Sequence, residues 1–146
     1  MESNFQSINP RWIDVIGHKP KFIKIKKSLL HNKGAFSKKK ILKGTFLGHY
    51  MGNISKNMLT GPYVFHSKTS NGTISIDASD INYSNWTRYM NCSTNKSNEN
   101  VNSYILTNNN YNGYIVFYAN RDIKKDEELL YYYGNMYGKL LGIYYS

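Results

Sequence analysis

Cysteines and long apolar runs are the scarcest features of this 146-residue sequence. The single cysteine, Cys92, excludes an internal disulfide, and with four scattered histidines it cannot complete a cysteine-based zinc site. No apolar run approaches the ~18 residues that are needed to cross a bilayer. The first ten residues are polar and include Glu2, unlike a secretory signal. We therefore expect an intracellular protein, in the nucleus or the cytoplasm, without a metal site.

Acidic residues are scarce as well. The chain has 19 Lys and Arg against 9 Asp and Glu, which is a formal net charge of +10. Residues 1–56 contain 12 of these cations and only two acids, Glu2 and Asp14, so this part of the chain carries a net charge of +10. The Lys-rich segment 19–43 therefore indicates contact with nucleic acid or another acidic partner, and a solvated, solubilising surface is the open alternative. Aromatic residues are sparse there, so base stacking on a single strand is not supported.

Two motifs that would indicate other enzyme classes are missing. No Gly-x-Gly-x-x-Gly follows a strand, which argues against a doubly wound nucleotide-binding sheet, and no Gly-x-Ser-x-Gly marks a nucleophile elbow. The length of the chain fits one domain. Residues 1–20 contain Pro10 and Pro20 and show no hydrophobic period. We therefore predict an irregular, basic N-terminal arm over residues 1–20, followed by a single domain over residues 21–146.

Short strands dominate the patterns that are present. Isoleucine and lysine alternate in Phe22–Lys26, as in a half-buried strand. Asn71-Gly72 and Asn112-Gly113 each lie between two apolar segments and are strong signals for β-hairpins. Further strands are predicted near residues 32–36 and 45–51. Turn signals recur at roughly the ~8–12-residue spacing of all-β proteins, so the fold is predicted to be mostly β.

Helical signals are few, and the last strand has an unusual composition. Ser84 or Asn85 can cap a short helix that reaches Tyr89, and residues 135–141 can form two helical turns. The stretch Glu127–Gly134 runs from two acids through two leucines to three consecutive tyrosines and a glycine. A strand would place these hydroxyl groups on both faces, and Gly134 allows a bend. Simple packing of β-favouring tyrosines is the open alternative.

Four segments, in order along the chain, carry a resemblance to a known family. They are Lys33–Phe36 with Gly44–Gly52, Tyr63–Phe65 with Ile76–Ala78, Asn85–Cys92, and Arg121–Ile123 with Glu127–Gly142. In these segments the chain resembles the SET-domain protein-lysine methyltransferases, and most of all their PR subgroup. The resemblance extends from about Phe22 to Gly142. The third segment is similar to the PR form of the motif that is Asn-His-Ser in other SET domains.

The resemblance implies a fold and a cofactor. The implied fold is mostly β and β-clip-like, with small, mainly antiparallel sheets, short helices and a C-terminal pseudoknot that brings residues near 91 and 133 together. The implied cofactor is S-adenosyl-L-methionine, which would enter on one face while a peptide lysine enters from the other through a narrow channel. The implied cofactor-binding residues are Lys33, Gly34, Ala35, Arg88, Tyr89, Asn91, Cys92 and Tyr133.

The resemblance also implies catalytic roles for three tyrosines. Tyr133 would direct its hydroxyl at the transferring methyl group, and Tyr63 and Tyr131 would line the lysine channel, where their ring faces attract cationic groups. A tyrosine at the position of Tyr131 implies a bias towards monomethyl-lysine, because its hydroxyl hinders further methylation. The implied substrate is a histone or another basic chromatin-associated protein.

The chain departs from the family pattern at two positions. Asn32 stands where many members have the first glycine of the cofactor turn, and Cys92 replaces the usual histidine. Other roles for two of the residues stay open, because Arg88 could pair with Asp77 or Asp80 and Asn91 could be an ordinary buried amide. The alternatives to an enzyme are a catalytically silent PR-like module that binds a peptide or partner, and a plain nucleic-acid-binding β domain.

Overall fold

The protein is built almost entirely from short strands. The computed structural model describes residues 19–93, 96–107 and 111–132, and these residues contain ten strands and three 3₁₀ helices. The strands are β1 (Ile23–Lys27), β2 (Lys33–Ser37), β3 (Phe46–His49), β4 (Asn53–Ser55), β5 (Val64–Thr69), β6 (Gly72–Asp77), β7 (Asn91–Cys92), β8 (Val101–Ile105), β9 (Ile115–Ala119) and β10 (Leu130–Tyr131). The 3₁₀ helices are Ile81–Tyr83, Trp86–Tyr89 and Lys96–Asn98. The prediction of a mostly-β fold is confirmed.

The described residues divide into two compact units, each drawn from separate parts of the sequence. The first unit contains Gly48–Arg88 and Tyr104–Phe117, and the second contains Pro20–Leu47, Tyr89–Ser103 and residues 118–132. A five-stranded sheet has the strand order β3-β9-β8-β10-β7.

A three-stranded antiparallel sheet organises the first unit, with the strand order β4-β6-β5. The predicted hairpin around Asn71-Gly72 is present, and its register runs from Val64 opposite Asp77 to Thr69 opposite Gly72. Gly72 therefore opens β6, and its φ of 118° is a conformation that suits glycine. The turn itself is formed by Ser70 and Asn71, one residue earlier than the sequence pattern indicates.

An aromatic cluster forms the core of the first unit. The ring of Tyr50 lies edge-on to Phe65 at 4.6 Å and to Phe117 at 6.4 Å between centroids. Such edge-to-face pairs add to the stabilisation from apolar burial. The Tyr50 hydroxyl donates a 2.6 Å hydrogen bond to the carbonyl oxygen of Tyr63. This bond satisfies a buried polar group and also holds the backbone of one of the predicted channel tyrosines.

The hairpin of β1 and β2 begins the second unit. The two strands are antiparallel, and Ile23 opposite Ser37 and Ile25 opposite Ala35 are in register. Ile23 and Ala35 are completely buried, whereas Lys26 and Lys27 are exposed. The isoleucine–lysine pattern predicts alternating buried and exposed faces, but burial instead falls steadily along β1 from Ile23 to Lys27. In β2 the four residues from Gly34 to Ser37 are all buried.

Strand β10 gives the second unit its long-range topology. It lies between β7 and β8 and is parallel to both, with Leu130 opposite Asn91 and Tyr131 opposite Cys92 and Val101. A strand near the C-terminus thereby enters between two strands that precede it in the chain. This insertion agrees with the pseudoknot expected from the family resemblance.

The helical predictions have mixed outcomes. The short helix expected near residues 84–89 is the 3₁₀ helix Trp86–Tyr89, and Asn85 Oδ1 accepts a 3.1 Å hydrogen bond from Thr87 N at its start. The predicted helical turns at residues 135–141 and nearly all of the predicted N-terminal arm lie outside the described residues. No helix within the described part of the chain has the length and apolar character that a membrane span requires.

Candidate active site

The predicted cofactor turn and the predicted cofactor asparagine meet in the second unit. Asn91 opens β7 and is only 8% exposed. Its Nδ2 donates hydrogen bonds to the carbonyl oxygens of Lys33, at 3.0 Å, and His31, at 3.3 Å. These bonds tie the first residue of β7 to the segment that leads into Gly34. The structure thus brings together Asn91 and the turn around Lys33 and Gly34.

A carboxylate that the family resemblance did not assign completes this cluster. Asn91 Nδ2 also donates to Glu128 Oε2 at 2.9 Å, and Ser28 Oγ lies 3.0 Å and 2.9 Å from the two carboxylate oxygens of Glu128. The Ser28 hydroxyl oxygen in turn accepts hydrogen bonds from the backbone N–H groups of Leu30 and His31, at 3.0 Å and 3.4 Å. The carboxylate therefore links the β1–β2 turn to β7.

Gly34 lies directly against the Glu128 side chain. A Cβ atom at this position would overlap Glu128 Oε2 and would lie 2.9 Å from Glu128 Cδ and 3.1 Å from Ser28 Cβ. Real Cβ atoms essentially never approach other atoms within 3.0 Å, so the end of the Glu128 side chain would have to move. The glycine thus leaves the space that the Glu128 carboxylate fills.

Asn32 provides the backbone conformation of the turn. Its φ is +27°, in the range that glycine adopts readily and that asparagine tolerates better than most other residues. Its carbonyl oxygen accepts a 2.8 Å hydrogen bond from Ser28 N, which closes the turn. Asparagine at this position therefore allows the positive φ of the turn.

Asn100 holds the segment that carries Glu128 to β10. It is completely buried, and its Nδ2 donates to the carbonyl oxygen of Glu128 at 2.8 Å and to Glu127 Oε2 at 3.2 Å. Its Oδ1 accepts a 2.8 Å hydrogen bond from Leu130 N. One side chain thereby satisfies backbone groups on both sides of Leu129, and this fixes the direction from which the chain approaches the site.

Glu127, the neighbour of Glu128, has a different set of partners. Arg121 Nη2 lies 2.6 Å from Glu127 Oε2, and Lys124 N donates to Oε1 at 2.9 Å. Partial burial would by itself raise the pKa of Glu127, but the hydrogen bonds from Arg121, Lys124 N and Asn100 outweigh it and lower the pKa. Glu127 is therefore ionised at neutral pH and closes the loop before β10.

Arg88 and Tyr63 lie together in the first unit. The guanidinium carbon of Arg88 is 4.2 Å from the centre of the Tyr63 ring, which is a cation–π contact. Its Nε donates to the carbonyl oxygen of Ala78 at 2.9 Å, and its Nη2 donates to that of Ser79 at 3.2 Å. The guanidinium thus binds backbone carbonyl oxygens beside Asp77 and Asp80 and stacks on one of the predicted channel tyrosines.

Tyr131 and Cys92 are neighbours on adjacent parallel strands. Tyr131 is 1% exposed and Cys92 is 5% exposed. The Tyr131 carbonyl oxygen accepts a 3.0 Å hydrogen bond from Ser93 N, and the Cys92 thiol lies 3.4 Å from the carbonyl oxygen of Ser93. The backbone next to Cys92 is therefore held by the strand that continues towards Tyr133.

The remaining predicted site residues are Lys33, Ala35, Tyr89 and Tyr133. Lys33 Nζ lies 5.9 Å from the centre of the Tyr89 ring, at the outer limit of a cation–π contact. Ala35 is completely buried, and its carbonyl oxygen accepts a 2.8 Å hydrogen bond from Leu129 N. Tyr133, the predicted catalytic hydroxyl, lies outside the described residues, two positions after the end of β10.

His49 is a titratable residue of the first unit whose pKa is lowered strongly by burial. Its ring stacks on Tyr114 at 5.0 Å between centroids. Its carbonyl oxygen accepts hydrogen bonds from Asn85 Nδ2 at 2.9 Å and Thr87 Oγ1 at 3.3 Å. Burial lowers the pKa of His49 from 6.5 to about 4. The imidazole is therefore neutral at physiological pH.

Sequence reasoning missed two residues that build the cofactor-turn cluster and a third that holds the segment carrying Glu128. Glu128 was visible as one of two acids before the last strand, but nothing in the pattern distinguished its role from that of Glu127. Ser28 and Asn100 belong to segments without a periodic pattern, and each makes its contact with residues about thirty to one hundred positions away. Only an alignment of related sequences or the fold itself could have identified them.

Comparison with known proteins gives a consistent result. A family model described as the PR domain of PR domain zinc finger protein 2 matches residues 21–144. A comparison of the sequence with curated proteins found no match. Among solved structures, the methyltransferase domain of human PR domain-containing protein 2 superposes with a TM-score of 0.69 and 24% identity, over 89% of this chain and 86% of that chain.

A second solved structure extends the likeness of the fold. KRYPTONITE, in a crystal structure with mCHH DNA, an H3(1-15) peptide and SAH, superposes with a TM-score of 0.63 and 21% identity. The match covers 77% of this chain but only 23% of KRYPTONITE, so this chain spans about a quarter of that protein. At these identities the structural matches concern the fold.

Proposed function

This chain belongs to the PR-domain family, which has the SET-type methyltransferase fold, and we propose that it is an S-adenosyl-L-methionine-dependent protein-lysine N-methyltransferase. The observation that carries the proposal is the cluster of Asn91, Gly34 and Glu128, where a glycine turn, a fixed amide and a carboxylate converge within the second unit. These groups suit the amino-acid end of the cofactor, because it presents an ammonium group and a carboxylate to polar partners.

In this proposal the cofactor-turn residues bind the cofactor and do not take part in the reaction. Backbone groups of Lys33, Gly34 and Cys92 would surround it, with Ala35, Tyr89 and Arg88 as further contacts. When bound, the cofactor would supply a methyl group on a positively charged sulfur. Asn32, with its positive φ, would keep the turn open for close approach of the backbone.

The proposed catalytic residues are three tyrosines. A lysine side chain can accept a methyl group only as a neutral amine, and aromatic walls favour that form by excluding water. Tyr63 and Tyr131 would form these walls, and the Tyr133 hydroxyl would orient the amine towards the methyl group. The lysine proton would leave to solvent before transfer. Because Tyr131 carries a hydroxyl, the product is proposed to be mainly monomethyl-lysine.

The proposed substrate is a histone or another basic chromatin-associated protein. KRYPTONITE was crystallised with a histone H3 peptide and DNA, which supports this class of substrate for a related fold. A basic enzyme is not itself complementary to a basic peptide. We therefore propose that the excess positive charge contacts nucleic acid, while the peptide enters elsewhere; this would suit a protein of the nucleus or of a cytoplasmic nucleic-acid assembly.

The fold supports a basic surface larger than the predicted segment 19–43. Lys24 Nζ is 2.6 Å from Asp126, and Lys40 Nζ is 3.6 Å from Asp122, so the loop containing Lys124 and Lys125 lies beside the N-terminal lysines. The described ranges of the second unit hold 13 Lys and Arg against five Asp and Glu, a net charge of +8. In the first unit, residues 48–88 and 104–117 hold three against two, a net charge of +1.

This surface, the basic cluster, fits a phosphate backbone better than an acidic protein. It consists of Lys24, Lys38, Lys39, Lys40, Lys43, Lys124 and Lys125. Lysine is depleted in the centres of protein–protein interfaces, whereas phosphate contacts are made mostly by lysine and arginine. The proposed contact is therefore to the backbone of duplex nucleic acid, independent of its sequence.

The alternative function is a catalytically silent PR-like module that holds a peptide or recruits a partner. Transfer of a radiolabelled methyl group to histones and nucleosomes separates the two functions. We expect transfer by the wild-type protein and a loss of roughly 10²-fold or more in Tyr133→Phe, because an oriented hydroxyl at the reacting centre is removed. Tyr132→Phe, which removes the hydroxyl of the adjacent tyrosine, is the matched control and should retain activity. Absence of both transfer and cofactor binding in the wild-type protein would leave the silent module.

A further inference from the structure

The orientation of the Asn91 side chain is set by what surrounds its nitrogen. Nδ2 faces three acceptors: the carbonyl oxygens of His31 and Lys33 and the Glu128 carboxylate. The two N–H groups of this amide are shared among the three acceptors, whereas a flipped amide would point its oxygen at them and would lose these hydrogen bonds. Asn91 therefore presents Oδ1 on the opposite side, where none of the described residues donates a hydrogen bond to it.

Glu128 is the strongest of the three acceptors. A charged acceptor makes a hydrogen bond roughly twice as strong as a neutral one, so the carboxylate contributes more to this orientation than either carbonyl. The carboxylate is itself held in place by the Ser28 hydroxyl, and it occupies the space that Gly34 leaves open. These contacts thus hold one negatively charged group in a fixed position beside the turn.

We propose that Glu128 is a positioning residue of the cofactor site, which holds Asn91 so that Oδ1 accepts a hydrogen bond from the ammonium group of the cofactor's amino-acid end. An ammonium group has three donors and no acceptor, so it needs an oxygen that no other donor occupies. No residue in the described part of the chain donates to Asn91 Oδ1, which therefore suits this role, and the nearby negative charge of Glu128 attracts the ammonium. This role rests on the proposed function as a methyltransferase.

A purely structural role for Glu128 makes different predictions. If the carboxylate only closed the β1–β2 turn, its loss would weaken the binding of every ligand of the site to a similar extent. A positioning role acts on one end of the cofactor. It therefore predicts a loss that appears only for ligands that carry the ammonium group.

Calorimetric titration with two ligands distinguishes these roles. S-adenosylhomocysteine carries the amino-acid end, and 5′-methylthioadenosine shares the nucleoside and the sulfur but lacks that end. We expect Glu128→Gln, which keeps the size of the side chain and removes its charge, to weaken binding of S-adenosylhomocysteine by about tenfold. Binding of 5′-methylthioadenosine should change by less than about twofold, within the spread of a surface substitution. Glu127→Gln is the matched control and should leave both affinities near those of the wild type.

Two results would overturn the role of Glu128 while leaving the proposed function intact. In the first, Glu128→Gln binds both ligands more weakly to the same extent. In the second, it binds both ligands as tightly as the wild type while circular dichroism shows an intact fold. Glu128→Ala keeps the test decisive, because it should lose the same selective affinity even if glutamine still accepts a hydrogen bond from Asn91. A wild-type protein that binds neither ligand would instead overturn the proposed function, and with it this role.

Discussion

Asn91 Nδ2 and Glu128 Oε2 lie 2.9 Å apart although 37 positions separate the two residues in the chain. The contact exists because β10 is inserted beside β7, in parallel and in register, with Leu130 opposite Asn91. Glu128 precedes β10 by two residues, so the position of its carboxylate follows from the strand insertion. The topology and the proposed cofactor site therefore depend on each other.

Because Gly34 and Glu128 approach closely, substitutions at the two positions should have interdependent effects on the free energy of unfolding. Gly34→Ala should lower the free energy of unfolding by about 1–3 kcal/mol, because the added methyl group overlaps the carboxylate. In a Glu128→Ala background the space is open, so the same substitution should cost much less. Urea denaturation of the two single variants and the double variant measures the coupling. Gly44→Ala is the control. Apart from its chain neighbours no atom lies within 4 Å of the added Cβ, so its cost comes from the positive φ of +87° and should be the same in both backgrounds.

Substitution of Asn100, which lies outside the proposed cofactor site, should cause a large loss of stability. Asn100→Ala removes two donated hydrogen bonds and leaves Leu130 N without its side-chain acceptor in a buried position. The free energy of unfolding should fall by about 3 kcal/mol, measured by chemical denaturation. Asn102→Ala is the control of the same residue type, because Asn102 accepts a hydrogen bond from the Asn120 side chain in a part-buried position. A loss as small as that of the control would show that Asn100 does not hold the segment before β10.

The basic cluster predicts a change in the salt dependence of binding to duplex DNA. Each phosphate contact that is lost reduces the slope of log affinity against log salt by about 0.9. Lys124→Glu combined with Lys125→Glu should therefore reduce the slope by about 1.8. Fluorescence anisotropy over a series of salt concentrations measures the slope. Lys56→Glu with Lys68→Glu makes the same change of charge on exposed residues of the first unit, and an equal effect there would indicate non-specific attraction to net charge.

Tyr131 predicts the methylation state of the product. Tyr131→Phe removes a hydroxyl from the proposed channel wall while the ring stays in its buried position. The fraction of dimethyl-lysine and trimethyl-lysine should rise several-fold, because the hydrogen bond that hinders a second transfer is lost. Mass spectrometry of the product measures the ratio. An unchanged ratio in an active variant would refute the product-control role.

His49 predicts how stability responds to acid. The pKa of His49 in the folded protein is about 4, below its ordinary value of 6.5, because burial disfavours the charged ring. The unfolded chain therefore binds a proton first as the pH falls. From His49 alone, the free energy of unfolding should fall by on the order of 1.4 kcal/mol per pH unit between about pH 6.5 and pH 4. His49→Gln should remove this part of the pH dependence in urea denaturation curves, and an unchanged slope would show that another group causes it.

Much of the local structure could be predicted from the sequence. The alternation of isoleucine and lysine predicted β1, Asn71-Gly72 predicted the β5–β6 hairpin, and Asn85 predicted the start of the helix at Trp86. Each of these signals depends on interactions between residues a few positions apart. The predicted mostly-β fold follows from them, because no long helical period competes with the strands.

Motif order in the sequence also determined which residues are candidates for the site. The segments around Lys33, Asn91 and Tyr133 predicted a cofactor turn, a cofactor asparagine and a catalytic hydroxyl. Asn91 and the turn do meet in the structure, whereas the roles of these residues stay proposals. The excess of lysine in residues 1–56 predicted a basic segment. Its extension by Lys124 and Lys125 could not be predicted, because residues 57–146 carry a net charge of zero.

Only the tertiary structure decided which of two adjacent acids joins the site. Glu127 and Glu128 are the same residue type in consecutive positions, so composition and period do not separate them. The insertion of β10 between β7 and β8 directs Glu128 towards Asn91 and Gly34 and leaves Glu127 to Arg121. The physical reason is that neighbouring side chains of an extended segment point in opposite directions. Which direction faces the cofactor turn is set by strand pairing over tens of residues, which no local pattern encodes.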